Sequence, residues 1–491
     1  MAKTAHHFLA LDLGAESGRG ELVTLADDRA AMEEIHRFAN RPVRMAGTLY
    51  WDLPALFAEV LAAMRTCAER SVKLSGIGVD TWGLDFGLLT ADGELLGNPV
   101  HYRDGRTENI YAYSDPIMSR AKIFERTGYE PWPINSLFQL LSMQRDGSPA
   151  LAAAEMFLNM PDLLLYFLTG RAACELSIIN TSDLLATDCT WAEDIMERFS
   201  LPRKMFPPLI PPATVLGKLT AEVRDATGLG DVPVIASCGH DTSAAVAAVP
   251  GEGENWAFIS CGTWSVLGEL VSRPVITPQC LQLGFTNEYT VGGWYLARNI
   301  YGLWLVQQLR KKWDSPQDGW DYVRMTAEAD RAKTDCLVDA ADDSLMVPPD
   351  MEAALLKLIS DSGQTAPAGR GELVRCVLES LALEYDRRLD ALAELTGRRA
   401  GTVYMVGGGI NNKLLCQLTA DACGVEVRAG ADQCTALGNA LSQALAVGIL
   451  KSPDDIRQVV RQSCKMSVYQ PADQDVWRQK RMQYRRLTEE R

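Results

Sequence analysis

The stretch that decides the fold is Phe8-Leu9-Ala10-Leu11-Asp12-Leu13-Gly14-Ala15-Glu16-Ser17-Gly18-Arg19-Gly20-Glu21-Leu22-Val23-Thr24-Leu25. An apolar run ends on Asp12-Leu13-Gly14, small and polar residues follow, and a second run resumes at Gly18. Glycine lets the chain reverse at such a junction, so the pattern predicts an antiparallel hairpin, with residues 32–39 as a third strand. The theme returns later: residues 256–260 read as a strand, Cys261-Gly262-Thr263 as a loop and residues 264–271 as a second strand. A repeat at this distance predicts an α/β chain of two related domains facing one another across a cleft. Pro250-Gly251-Glu252-Gly253 is the expected junction, dividing the chain into residues 1–249 and 250–491.

Length agrees, because 491 residues exceed what one hydrophobic core organises. A hydrophobic fraction of 47% and a charged fraction of 23% suit a globular protein. The longest apolar run, residues 156–168, is broken by Asp162, so no membrane span is expected. The opening Met1-Ala2-Lys3-Thr4-Ala5-His6-His7 lacks the apolar core and cleavage site of a signal peptide and runs into a strand. Forty-eight basic against 63 acidic residues give a net charge of −15, which repels nucleic-acid backbones. Twelve cysteines without a paired motif point to the cytoplasm, and five scattered histidines to no zinc site.

Apolar residues at helical spacing mark residues 53–68 and 372–395 as helices. Residues 76–80, 84–89, 232–237, 402–406 and 425–428 read as strands, and 244–249, 411–422 and 435–447 as helices. Five prolines between Pro202 and Pro212 predict a loop. Residues 315–371 are polar and broken by Pro and Gly, so they are expected to be a weakly structured insertion. The charged tail after Lys451 is expected to be peripheral.

Five features suit chemistry, and each also has a plain structural reading. The first glycine loop offers backbone N–H groups to phosphate, Arg19 adds a positive charge, and Asp12 suits Mg²⁺ held through water. It also fits a tight turn with a solvated Asp. Gly262-Thr263 echoes that loop, though small residues are common at strand ends. Gly407-Gly408-Gly409, between a strand and a helix, lets a flat ligand lie on the backbone, or is only a flexible turn. Gly239-His240-Asp241-Thr242 places a carboxylate at a strand-to-helix corner, where it can accept a hydroxyl proton or simply cap the helix. Gly78-Val79-Asp80-Thr81-Trp82-Gly83-Leu84-Asp85 interleaves polar groups with an indole, which suits a sugar or a strand end with a buried Trp. Neither a Walker loop nor GxGxxG is correctly placed.

Together these residues resemble the FGGY carbohydrate kinases, whose fold is a pair of actin-like, ribonuclease H-like ATPase domains. The likeness covers residues 7–450. Further stretches that carry it are Ile35-His36-Arg37-Phe38, Tyr102-Arg103-Asp104, Arg106-Thr107, Gly262-Thr263-Trp264-Ser265, Asn299-Ile300, Gly302-Leu303-Trp304-Leu305 and Asp421-Ala422-Cys423-Gly424. They resemble the branch acting on L-rhamnulose. The resemblance implies ATP as phosphoryl donor, Mg²⁺, a small-molecule ketose substrate, and a monomer or small homo-oligomer. It implies ATP contacts at Ala15, Glu16, Ser17, Gly18, Arg19, Thr263, Gln307 and Gly408. It implies sugar contacts at Gly83, His240, Asp241, Thr242 and Asn299, with Asp241 as proton acceptor. Two departures stand out: Asn135-Ser136-Leu137-Phe138-Gln139 replaces a stretch where many members carry Lys and Trp, and Glu16 replaces an expected Ser. The rival readings are a kinase of another ketose or polyol, such as L-fuculose or xylulose, and an actin-like ATPase or scaffold without sugar chemistry.

Overall fold

The computed structural model describes residues 5–315 and 318–489. The expectations for Met1-Ala2-Lys3-Thr4 and for Pro316-Gln317 of the 315–371 segment lie outside these residues. The chain forms two units. The first runs to Pro250 and takes back Leu270–Leu296 and Cys434–Ser463. The second contains Gly251–Glu269, Ala297–Gln433 and the chain from Cys464 onward.

In the first unit the opening strand His6–Leu13 pairs antiparallel with Ser17–Ala26, which pairs antiparallel with Arg29–Ala39. Leu74–Thr81 lies parallel on the other side of the opening strand, with Asp12 opposite Asp80. Pro233–Ala236 adds another parallel strand, and Thr214–Lys218 closes that edge antiparallel. Phe8 to Leu13 are all buried, as a central strand covered on both faces requires. Helix Leu53–Glu69 starts where the Asp52 side chain accepts from Ala55 N, and it buries Leu56, Val60, Ala63 and Met64. A Cβ at Gly20 would stand 2.9 Å from Ala63 Cβ, so glycine is what allows this helix to approach the sheet.

Helix Cys434–Ala446 also packs against the opening strand and Leu74–Thr81, although it lies far along the chain. Its Gly438 meets the backbone of Ala244 in helix Asp241–Ala247, where any side chain would overlap the Ala244 carbonyl. The small residues of 244–249 therefore mark a close helix–helix contact.

In the second unit Trp256–Cys261 pairs antiparallel with Trp264–Val271 and parallel with Thr402–Val406. Glu426–Ala429 follows in parallel, and Ser467–Tyr469 forms an antiparallel edge. The long helix Arg370–Thr396 and helix Lys413–Cys423 pack together.

Three expectations are corrected. The 315–371 segment contains two helices, Tyr322–Arg331 and Met351–Asp361. Asp321 accepts from Arg324 N and Asp350 from Ala353 N as caps, while Met325, Ala329, Leu355 and Ile359 are buried. The prolines and glycines that suggested weak structure fall outside these helices. The tail is not peripheral: Pro453–Ser463 buries Ile456, Val459 and Val460, and Gln474–Glu489 buries Trp477 and Tyr484. The proline-rich loop includes Leu209–Ile210, a short strand paired with Cys174–Glu175. Among the described residues no helix is long and apolar enough to cross a membrane, and all twelve cysteines are free thiols.

Candidate active site

In the first unit, neighbouring parallel strands end in carboxylates. Asp12 and Asp80 lie side by side in register. Burial pushes the Asp12 carboxyl up to about 6 against the Arg19 charge, with Asp241 adding to the rise. Burial, then the charges of Asp12 and Asp241, holds Asp80 well above the usual carboxylate range. Asn439 donates to Asp80 Oδ2 at 2.5 Å, and Gln443 steadies Asn439 by donating to its Oδ1 at 2.8 Å and to Leu9 O at 3.0 Å. Asp80 Oδ1 is buried without a hydrogen-bond partner among the described residues. Two adjacent carboxyls, one with an orphaned oxygen, fit a Mg²⁺ ion, which takes few carboxylates and completes its shell with water and phosphate. No group of three or more metal-binding side chains occurs among the described residues.

The first glycine loop is a tight turn in which Gly14 N donates to Ser17 O at 2.9 Å. Asn40 braces it, its side chain donating to Gly14 O and its backbone N to Glu16 O, both at 3.0 Å. Ala15 is half-buried, while Glu16 and Ser17 are exposed. Gly18 is buried, and a side chain there would overlap the Phe38 ring. Arg19 Nε stands 3.2 Å from Asp12 Oδ2, so its charge is directed at that carboxylate.

His240 is the N-cap residue and Asp241 opens helix Asp241–Ala247. Asp241 Oδ1 accepts from Thr242 N at 2.6 Å and from Thr242 Oγ1 at 3.2 Å. Oδ2 has no hydrogen-bond partner among the described residues, and the side chain is 33% exposed. Burial raises the Asp241 carboxyl, while the His240 charge and the Thr242 bonds oppose that rise.

Gly83 follows strand Leu74–Thr81 against Thr181, where an added Cβ would lie 3.1 Å from Thr181 Cγ2. Leu84 then takes a φ of 79°, a left-handed conformation that strains a non-glycine residue. It is held because Leu84 N donates to Thr181 Oγ1 at 3.0 Å and Ser136 Oγ donates to Leu84 O. Asp85 is fully buried and anchors the segment. Its Oδ2 accepts from Trp51 Nε1 at 2.6 Å, Trp82 Nε1 at 3.0 Å and Tyr102 N at 3.2 Å, and its Oδ1 from Gln139 Nε2 at 3.0 Å. Trp82 is buried with its ring centroid 4.0 Å from that of Trp51, so its indole supports the segment from below.

In the second unit Thr263 is exposed at the tip of its hairpin, and its carbonyl accepts from Gly302 N and Trp304 N. Gly407 has a φ of 82°, and a Cβ there would come to 2.9 Å of Cys261 O. A side chain on Gly409 would overlap Cys261 Sγ, whereas Gly408 is exposed with no atom within 4 Å of where its Cβ would be. The helix after the glycines starts later than expected: a 3₁₀ turn Gly408–Asn411 intervenes, and Asn412 caps Lys413–Cys423. Gln307 is half-buried in helix Trp304–Trp313, and Asn299 is exposed on strand Gly293–Tyr301. Asp12, Ala15–Arg19, Gly83 and His240–Thr242 thus belong to the first unit, and Thr263, Asn299, Gln307 and Gly408 to the second.

Sequence reasoning missed several polar residues. Glu175 is buried and accepts from Gly239 N at 2.8 Å and Ser177 N at 2.7 Å, which fixes the chain just before His240. Glu288 stands 3.2 Å from His240 Nδ1. Its only sequence signal is a lone acid within the apolar and hydroxyl alternation of Phe285–Thr290. Asn439 lies 359 positions from the Asp80 it serves, and nothing local marks it. A cavity of about 290 Å³ elsewhere in the first unit, lined by Tyr50, Phe86, Arg106 and Ser142 among others, contains none of the expected site residues.

Comparison with known proteins identifies the family. Residues 7–248 match the model of the FGGY family of carbohydrate kinases, N-terminal domain, and residues 257–447 that of the C-terminal domain. A rhamnulokinase of Bacteroides thetaiotaomicron is 39% identical over 474 residues, covering 96% of this chain and 97% of the relative. One from Enterococcus faecalis is 36% identical over 469 residues, covering 94% of each chain. Among solved structures, ligand-bound xylulose kinase from Lactobacillus acidophilus superposes with a TM-score of 0.81 at 16% identity, covering 98% of this chain and 96% of that one. Plasmodium falciparum glycerol kinase with ADP reaches 0.82 at 16% identity, covering 99% and 98%. The fold is thus that of the two-domain sugar kinases, and the chain belongs to the FGGY family of carbohydrate kinases.

Proposed function

We propose that the protein transfers the γ-phosphoryl group of ATP to the primary hydroxyl of L-rhamnulose, giving ADP and L-rhamnulose 1-phosphate. The observation that carries the mechanism is Asp241. One of its oxygens is fixed by Thr242, and the other is unpartnered on a partly exposed side chain. Such an oxygen is placed to accept the hydroxyl proton as the sugar oxygen attacks phosphorus and ADP leaves. Gly83, His240, Thr242 and Asn299 are the other residues assigned to the sugar. The strained Leu84 and the Asp85 anchor hold the Gly83 backbone in place.

Ala15, Glu16, Ser17, Gly18 and Arg19 offer the phosphates backbone N–H groups and one guanidinium. The exposed Glu16 takes part through its backbone, since a carboxylate beside triphosphate is unfavourable. Thr263, Gln307 and the open face of Gly408 bind nucleotide on the second unit. Mg²⁺, held by Asp12 through water with Asp80 beside it, would neutralise charge on the phosphates. Support for L-rhamnulose comes from the near full-length likeness to rhamnulokinases.

Steady-state kinetics over a ketose panel tests the substrate: kcat/KM is expected to be highest for L-rhamnulose, and a higher value for L-fuculose or xylulose refutes it. Asp241→Asn tests the base. It is expected to lower kcat by roughly 10²-fold or more with ATP affinity kept, and an unchanged kcat would assign Asp241 to the helix start alone.

A further inference from the structure

The segment that returns to the first unit, Leu270–Leu296, brings a buried carboxylate against the residue before Asp241. Glu288 is 3% exposed, and its Oε2 lies 3.2 Å from His240 Nδ1 and accepts from Tyr295 OH at 2.8 Å. Ser243 Oγ joins the group, 3.0 Å from Tyr295 OH and 3.4 Å from His240 Nδ1. The other ring nitrogen, Nε2, stands 3.5 Å from Asp241 Oδ1. Thr290 Oγ1 donates to Ser243 O at 2.7 Å and ties the strand to helix Asp241–Ala247. The order is therefore carboxylate, imidazole, carboxylate.

We propose that Glu288 is a positioning residue for phosphoryl transfer, holding His240 as an imidazolium through Nδ1 so that Nε2 presents its charge to Asp241. This rests on the assignment of Asp241 as proton acceptor. Two carboxylates on opposite sides of one imidazole favour its doubly protonated form, and only that form donates from both nitrogens. Burial alone would push the His240 ring down, but the Glu288 bond and charge, with the charges of Asp241 and Glu175, outweigh it and raise the ring above its ordinary value. Asp241 faces His240 and Thr242 nearby, and Glu288, Asp12 and Asp80 as further negative charges. His240 is the one cationic group among them that opposes the rise of the Asp241 carboxyl, and it does so more strongly than Glu288 promotes it. The imidazolium thus keeps Asp241 ionised, and so competent as a base, in surroundings that favour protonation.

Glu288→Gln is the direct test. The amide oxygen in the place of Oε2 still accepts from Tyr295 OH and from Nδ1–H but carries no charge, which leaves a neutral imidazole of nearly unchanged position. The acid limb of the kcat/KM profile for the ketose is expected to move up by roughly one pH unit, as loss of a nearby opposite charge does. At neutral pH kcat/KM is expected to fall about 10- to 100-fold, the scale for groups that orient a functional imidazole, with KM for ATP unchanged. Glu288→Asp keeps the charge and is expected to retain the wild-type limb. His240→Asn is expected to move the limb as Glu288→Gln does, and the double variant to lose no more than His240→Asn alone.

An unmoved limb in Glu288→Gln, or losses that multiply in the double variant, overturns the proposal. If Glu288→Gln does not fold, His240→Asn decides, and a wild-type limb there overturns it equally. Retained activity in Asp241→Asn strikes the base assignment itself. An inactive Asp241→Asn with an unmoved Glu288→Gln limb strikes only the role of Glu288.

Discussion

Asp85→Asn replaces a fully buried carboxylate by an amide of the same shape, and its effect on stability must depend on pH. Burial raises the Asp85 carboxyl from 3.8 to about 6, against the opposing bonds from Trp51, Gln139 and Trp82 and the Arg106 charge. The folded state therefore favours the protonated acid. This group's contribution to stability is full below about pH 4, declines as pH rises to about 6, and is level above that. A rise of this size is worth about 3 kcal/mol at 1.36 kcal/mol per unit. The amide does not titrate, so its own penalty is constant. It arises because the amide NH₂ faces Gln139 Nε2, itself a donor that also bonds Ile134 O at 2.7 Å. The variant is thus expected to be less stable than wild type at pH 4 and to close that gap by about 3 kcal/mol by pH 8. Urea unfolding followed by tryptophan fluorescence at several pH values reads this directly, with Trp51 and Trp82 bonded to the altered group. Comparing the two proteins cancels every other titrating residue. A gap that stays constant or widens with pH refutes a raised Asp85.

Other perturbations follow from single contacts. Glu175→Ala leaves the buried N–H groups of Gly239 and Ser177 without their acceptor. The expected loss is about 2–5 kcal/mol, together with a lower kcat because His240 and Asp241 lose their brace, and thermal unfolding plus steady-state kinetics check both. Gly18→Ala drives a methyl group into the Phe38 ring, with an expected loss of about 1–3 kcal/mol that Phe38→Leu relieves in part. Gly408→Ala has open space for its methyl, so its melting temperature is expected to match wild type while KM for ATP rises; an unchanged KM removes Gly408 from the nucleotide site.

The glycine-turned hairpin at Leu13–Gly18 and its echo at Cys261–Trp264 were legible because strand, glycine and strand are local signals, and both form hairpins in the structure. The helix after Leu53 was legible because its apolar spacing is local as well. The helices of 322–331 and 351–361 are obscured in the sequence because Pro348 and Pro349 lie between them and further prolines and glycines flank them. The site divides in the same way. Asp12 and Gly83 stand at the ends of strands and Asp241 at the start of a helix, and their types suit the chemistry without reference to distant residues.

The family, the two glycine-turned hairpins and the residues that carry reactive groups were legible along the chain, since these follow from residue type and spacing. Only the tertiary structure decided what surrounds those groups. Asn439 reaches Asp80, Glu175 holds Gly239, and Glu288 stands against His240 because two later segments fold back into the first unit. Burial and the proximity of charge set the state of a carboxylate, and neither is a property of neighbours in sequence.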